Sequence, residues 1–295
     1  MILTWYSPAG VEIEFSGDSD ATYKLLRSVS GLSNPPVMHI TRQAPYQDGA
    51  KWIDARYGPR EISFEVMVQG PSREDVEYAK RILSTTLNSL PGIGTLKITQ
   101  EDGSEYTVYC VGNNTPEYSP TVHGDKYHRA TIDFIACDPF IYAYPNTITP
   151  FGAGTPIVFP YVFPWKFPVS TPAQVCTNTG NVPSGVKIVI TGEITNPSIS
   201  RTYTLASGAT VTETIAFTLT MAAGEVLTIN TGPGNKTITL LHDTGSYDTN
   251  PWQYLDAGYV FWQMVPGENT VVVSSSAIAA GTWTIVEHSS IFTGL

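Results

Sequence analysis

The stretch EISFEVMVQGPSREDVEYAKRILSTTLNSLPG, residues 61–92, holds the two periodicities that decide the fold. Ile62, Phe64, Val66 and Val68 alternate with Ser63, Glu65 and Met67, the period of a strand with one buried face. After Gly70-Pro71 the period changes. Val76, Ala79, Leu83, Leu87 and Leu90 make one stripe at helical spacing, which predicts a helix from about Arg73 to Leu90. Ser72 is the expected cap, with Asp75 three residues on, and Glu74, Asp75 and Glu77 suit the positive end of a helix. Pro91-Gly92 stops it. So narrow a stripe requires a sheet to lie on.

Outward from this core the chain reads as strands. Leu96–Thr99 and Glu105–Val111 flank Asp102-Gly103, a hairpin-turn dipeptide. Ala130–Ala136 alternates again, with Ala130, Ile132, Phe134 and Ala136 on one face. Residues 1–145 are therefore expected to form a β-sandwich or barrel carrying one helix. Farther on, Val186–Thr191, Val226–Thr231, Thr237–Leu241, Tyr259–Val265, Thr270–Ser274 and Thr282–Glu287 are short and β-prone, separated by turn clusters at 196–198, 232–235 and 266–269. That spacing predicts an antiparallel β-sandwich over 173–295. Between the two, residues 146–172 contain Pro156, Pro160, Pro164, Pro168 and Pro172 at intervals of four, with Phe159, Phe163 and Phe167 before three of them. Proline and its predecessor favour extended backbone, so this segment is expected to be a strap ordered by packing its rings.

Composition limits the functions open to such a chain. Of 295 residues 42% are hydrophobic and only 14% charged, with a formal net charge of −10. That balance opposes binding to a phosphate backbone or an anionic membrane surface. Charge is also uneven: residues 1–150 hold 12 of the 16 basic and 18 of the 26 acidic groups, which marks a boundary near the middle. Cys110, Cys137 and Cys176 are too widely spaced for a zinc or disulfide framework and are expected to be buried free thiols. Neither a secretory leader nor an apolar run of membrane-spanning length is read in the chain.

Each motif that might carry chemistry has a plainer reading. Gly232–Thr237 has part of a phosphate-loop pattern, but Asn230 and Asn235 stand where its glycines belong, and strand–turn–strand surrounds it. His123, Asp125 and His128 fit no common metal spacing and read as a polar turn. Asp243, Asp248 and Asn250 lack the alternate acids and central glycine of a calcium loop. With no nucleophile elbow and no Cys–His arrangement, no catalytic, cofactor-binding or metal-binding residue is assigned, and a hydrolase is the weakest reading. The sharpest lead is aromatic: among Tyr247, Trp252, Tyr254, Tyr259, Phe261 and Trp262, the residues Trp252, Tyr254 and Trp262 are the candidates for stacking on a glycan, against the ordinary use of rings as core.

In their order along the chain, several strings resemble the distal tail proteins of long-tailed siphophages. Arg56-Tyr57-Gly58-Pro59-Arg60 precedes the strand Glu61–Val68, and the capped helix ends in Leu90-Pro91-Gly92. TIDFIACDPF, Thr131–Phe140, closes the first domain, and the Phe-Pro strap Phe159–Pro168 follows. Asn178-Thr179-Gly180-Asn181, then Ile188–Gly192 with Asn196-Pro197, and finally Phe261-Trp262 leading to Pro266-Gly267-Glu268-Asn269 complete the set. The resemblance implies a tail-tube-like N-terminal domain that forms a homohexameric ring and a galectin-like C-terminal sandwich. Its partners would be copies of itself, the tail tube protein and tail-tip or receptor-binding proteins, with DNA only passing through the lumen. Such a protein would be assembled in the host cytoplasm and reside in the virion tail tip without enzymatic activity. The alternative is a carbohydrate-binding β-sandwich protein contacting the host cell wall.

Overall fold

The computed structural model describes residues 1–26, 29–46, 48–114, 116–119, 126–152 and 173–295. Two compact units divide it. Unit 1 comprises Met1–Pro145 and Phe292–Leu295, and unit 2 comprises Asn146–Ile291. The strap expected over 146–172 opens with a strand at Thr147–Gly152, and residues 153–172 lie outside the described residues.

Unit 1 runs β1 (Ile2–Tyr6), β2 (Glu12–Phe15), β3 (Tyr23–Leu25), β4 (Val37–Arg42), β5 (Lys51–Tyr57) and β6 (Arg60–Gln69). The helix α1 (Arg73–Thr86) follows, then β7 (Gly94–Thr99), β8 (Glu105–Gly112), β9 (Glu117–Ser119), β10 (Tyr127–Ala136) and β11 (Ile141–Tyr144). The main sheet has the order β2-β1-β7-β8-β10-β6-β3, and a bridge from Ser16 to Lys24 brings its two ends together, so the sheet nearly closes on itself. Ile62, Phe64, Val66 and Val68 all face the core, as their alternation requires, opposite Phe134, Ile132, Ala130 and His128 of β10. Trp5, Phe15, Phe64 and Phe134 fill its centre through tilted, edge and stacked ring contacts.

The helix packs on β6 through Val76, Ala79 and Leu83. Its start is the expected capping box: Ser72 Oγ accepts from the Asp75 N–H at 3.3 Å while Asp75 Oδ2 accepts from the Ser72 N–H at 3.1 Å. Two buried donors, Tyr23 Oη to the Ala79 carbonyl (2.9 Å) and Trp5 Nε1 to the Thr86 carbonyl (3.2 Å), pin it to the sheet. It ends at Thr86, not at Leu90. Asn88 folds its side chain onto the Leu90 N–H (3.1 Å), a local bond that competes with helix, and Pro91 disfavours helical backbone at Leu90. Leu90 is accordingly exposed and does not extend the apolar stripe.

One pair of strands stands apart. β4 and β5 form a two-stranded sheet that joins no other strand among the described residues.

Unit 2 contains β12 (Thr147–Gly152), β13 (Gln174–Asn178), β14 (Val186–Thr191), β15 (Ile194–Thr195), β16 (Ser198–Thr204), β17 (Thr210–Ala216) and β18 (Thr220–Met221). It continues with β19 (Val226–Asn230), β20 (Thr237–Leu241), a 3-10 turn (Pro251–Tyr254), β21 (Gly267–Ser274), β22 (Ala277–Ile278) and β23 (Trp283–His288). Two antiparallel sheets, β12-β23-β14-β19-β20 and β13-β21-β16-β17, enclose one core. Ile188, Ile190, Leu227, Ile229 and Val286 come from the first sheet and Ile199, Val271 and Val273 from the second. The strand expected over Tyr259–Val265 is absent. The segment makes one isolated bridge, Met264 to Ser184. The Trp262 N–H donates to the Val260 carbonyl two residues back at 2.8 Å, a local turn that takes the donor out of any ladder.

Candidate functional site

The aromatic residues singled out from sequence separate in space. Pro251, buried at the first position of the 3-10 turn, fixes the chain so that Trp252 projects outward, 41% exposed. Tyr254 is half-buried, and its hydroxyl donates to Asp248 Oδ2 at 2.9 Å. Trp262 is 1% exposed, with Nε1 directed at the Ile199 carbonyl (3.4 Å). As a glycan contact Trp262 is corrected: inward-facing Trp262 and Met264 bring the end of the segment into the core, leaving no free ring face to stack. Phe261 lies between Trp252 (centroids 5.6 Å apart) and Tyr259 (5.4 Å), with Lys236 Nζ 5.8 Å above it. The cluster is thus exposed Trp252 and Tyr259 on either side of half-buried Phe261, and two of its three members were not the ones chosen from sequence.

Beside it lies a polar network. Asp248 Oδ1 accepts from the Asn250 N–H at 2.9 Å, and this bond, followed by the Tyr254 hydroxyl, holds its carboxyl below the usual range. His242 Nδ1 is 2.5 Å from Glu225 Oε1, which raises the imidazole above its ordinary value. Burial pushes Glu225 up, but the bonds from His242 and the Ala222 N–H outweigh it and leave it low. Each group therefore favours the charged form of the other. Asp248 spends its oxygens on a turn and a tyrosine, which is why the oxygen-rich loop has no free ligand set, and no metal-binding group occurs among the described residues. His123 and Asp125 lie outside the described residues, while His128 sits on β10 opposite Val68. Gly232–Lys236 lies in the turn between β19 and β20 and Thr237 opens β20, with Gly234 at φ +75°, as strand–turn–strand requires.

The buried charges serve architecture. In unit 2 the Arg201 guanidinium stacks 4.1 Å from the Tyr203 ring, donates to the Gln263 carbonyl and pairs with Glu213. In unit 1 Arg60 is 1% exposed and has no carboxylate partner among the described residues. Its Nε donates to the Pro139 carbonyl (2.7 Å), Nη1 to the carbonyls of Gly31 and Ser33, and Nη2 to that of Thr293. It thereby joins two of the sequence strings, Arg56–Arg60 and Thr131–Phe140, to the last four residues. Burial lowers its pKa without removing its charge. Of the three thiols, Cys110 and Cys176 are buried and raised by that burial, but Cys137 is exposed. The expectation of three buried cysteines fails there because Cys137 follows β10, where the alternating strand has ended.

Residues 19–136 match the family model described as the phage tail protein RIFT-related domain, less than half of the chain. Two solved structures resemble the chain over nearly its whole length. One is the Dit protein of phage SPP1, described as a paradigm of the hub adsorption apparatus in phages infecting Gram-positive bacteria: TM-score 0.64, 16% identity, 99% of each chain covered. The other is the baseplate of phage P2 in its activated conformation with Ca: TM-score 0.50, 11% identity, 98% of this chain and 97% of that one. At such identities the likeness is one of fold. No curated protein matches the chain. The matched domain and the shared fold together support the resemblance to siphophage distal tail proteins and the mainly β, single-helix architecture expected from sequence.

Proposed function

We propose that this protein is a structural component of a siphophage tail: a distal tail, or baseplate hub, protein that forms a homohexameric ring between tail tube and tail tip and lets DNA pass. The observation that carries this reading is the conjunction of a phage-tail RIFT-related domain over residues 19–136 with a fold shared along the whole chain with a hub adsorption protein. Under this reading unit 1 makes the ring and unit 2, galectin-like in character, faces outward. Neighbours are the tail tube protein above and tip or receptor-binding proteins below. The protein assembles in the host cytoplasm, ends in the virion, and works without catalysis. Its acidic balance suits a lumen that repels DNA. Light scattering and negative-stain imaging of the purified chain test it. A closed ring of six is expected, and a particle that stays a single chain at high concentration would refute it.

The Trp252–Phe261–Tyr259 cluster, with Trp252 and Tyr259 exposed, favours a second reading, a β-sandwich that contacts cell-wall carbohydrate. A host cell-wall pull-down that weakens with Trp252→Ala would support it, and absence of binding to any wall fraction would remove it.

A further inference from the structure

In unit 2 the outward face of the sheet β12-β23-β14-β19-β20 departs from what a solvated sandwich face shows. An antiparallel sheet ordinarily buries alternate side chains and turns the polar remainder to water. Here β23 buries Thr284, Val286 and His288 and turns Trp283 and Ile285 outward, Trp283 being 54% exposed. On β12 the outward positions are Ile148, Pro150 and Gly152, and Ile148 is 60% exposed. The register joins them, with Pro150 opposite Ile285 and Gly152 opposite Trp283. Gly152 seats the indole. A Cβ at 152 would stand 3.1 Å from Cζ3 of Trp283, so the ring rests on bare backbone. Shielding that glycine uses one side of the ring, and the rest stays open to solvent.

The neighbouring strands add hydrogen-bonding groups to the same face. Thr191 stands opposite Trp283, and Thr228 and Thr239 continue the row of Ile285 and Val189. The hydroxyls of these three threonines have no hydrogen-bond partner among the described residues. Charge is almost missing. Apart from buried His288, the five strands carry only Lys187 and Glu287, which lie 3.9 Å apart, and Glu287 also accepts from Asn146 Nδ2 at 2.7 Å. A charged polymer finds no spare counter-charge on this face, and a purely apolar partner would leave the threonine hydroxyls buried and unpaired. A sugar suits both halves. It offers an apolar C–H face to the indole and hydroxyls around its rim, and adjacent strands stand about 4.8 Å apart, close to the width of one pyranose ring.

We infer that this face binds an uncharged oligosaccharide, one sugar stacked on Trp283 and the next reaching across β14 toward Thr191 and Thr228. For its ligand class the inference rests on the carbohydrate reading above, and it moves the contact to a surface separate from Trp252.

Isothermal titration of the full chain with cellohexaose, maltohexaose and chitohexaose, and with a hyaluronan hexasaccharide as anionic control, tests it. Expected are binding of at least one uncharged probe but not the anionic one, a loss of about tenfold or more in Trp283→Ala, and no change in Trp252→Ala. Gly152→Val keeps the indole but lifts it from its seat, and should weaken the same binding. Circular dichroism and melting show that each variant keeps the fold. If Trp252→Ala removes the binding and Trp283→Ala does not, the carbohydrate reading stands and this site is overturned. Absence of binding to every uncharged probe also overturns the site, while the cell-wall pull-down decides the broader reading by itself. If no probe binds and Trp283→Ala instead changes the mass of the assembled particle, the face belongs to a protein neighbour and the inference is overturned.

Discussion

Replacing Arg60 with Met is expected to destabilise unit 1 by about 3 kcal/mol. The guanidinium is buried, and its four recorded hydrogen bonds all go to backbone carbonyls, of Pro139, Gly31, Ser33 and Thr293. A hydrogen bond to a charged group contributes about 1.5–3 kcal/mol net, while taking an ion out of water costs several. Met fills much of the same volume and removes the ion, but leaves four carbonyls without a donor. Some of these turn to water, since Ser33 is exposed; Gly31 and Pro139, half-buried, have less access. The net loss then sits near ~3 kcal/mol, equivalent to a fall of about 10 °C in melting temperature for a unit of this size. Differential scanning calorimetry resolves the loss if the two units melt separately. Arg60→Lys, with its single nitrogen, should recover only part. Removing residues 292–295 should cost less in Arg60→Met than in wild type, because the tail's anchor is already gone. A melting temperature within about 2 °C of wild type for Arg60→Met, or strict additivity with tail removal, would refute the clamp.

Other outcomes follow from the same geometry. One thiol, Cys137, should react with a disulfide reagent in the native protein and the remaining two only on unfolding, and Cys137→Ser should abolish the native reaction. Burial lowers the His288 imidazole, against a weaker pull from the Thr177 carbonyl, and its Nδ1 has no hydrogen-bond partner among the described residues. The unfolded chain therefore binds the extra proton, and the stability of unit 2 should fall as pH drops below the ordinary value of 6.5; His288→Leu should flatten that slope, whereas the raised His242 acts in the opposite direction. Trp262→Ala should cost about 3–5 kcal/mol by chemical denaturation, and Trp252→Ala under about 1 kcal/mol, because only the first opens a cavity.

Where the sequence was legible, the signal was local and periodic. Ile62–Val68 declared its buried face because side chains alternate along a strand, and Ser72 with Asp75 declared the helix start because a capping box spans three residues. Asp102-Gly103 declared a hairpin: Gly103 adopts φ +84° and the Asp102 carboxyl accepts the Ser104 N–H at 2.9 Å. The same logic failed over Tyr259–Val265, where alternating rings imitate a strand but Trp262 is held by a core that no local pattern reveals. In the candidate site, exposure of Trp252 and burial of Trp262 were indistinguishable in sequence, since which ring is covered depends on strands far away in the chain.

By itself, then, the sequence determined the fold class, the lone helix, the absence of a recognisable catalytic motif and the likeness to phage tail proteins, because these depend on residue type and short-range spacing. Only tertiary structure decided that the sheet of unit 1 nearly closes, that β4 and β5 form a hairpin outside it, and that residues 292–295 return to unit 1. The Arg60–Thr293 bond joins positions 233 residues apart. Contacts of that span are fixed by which surfaces the whole chain buries together, and a side chain's neighbours along the sequence hold no record of them.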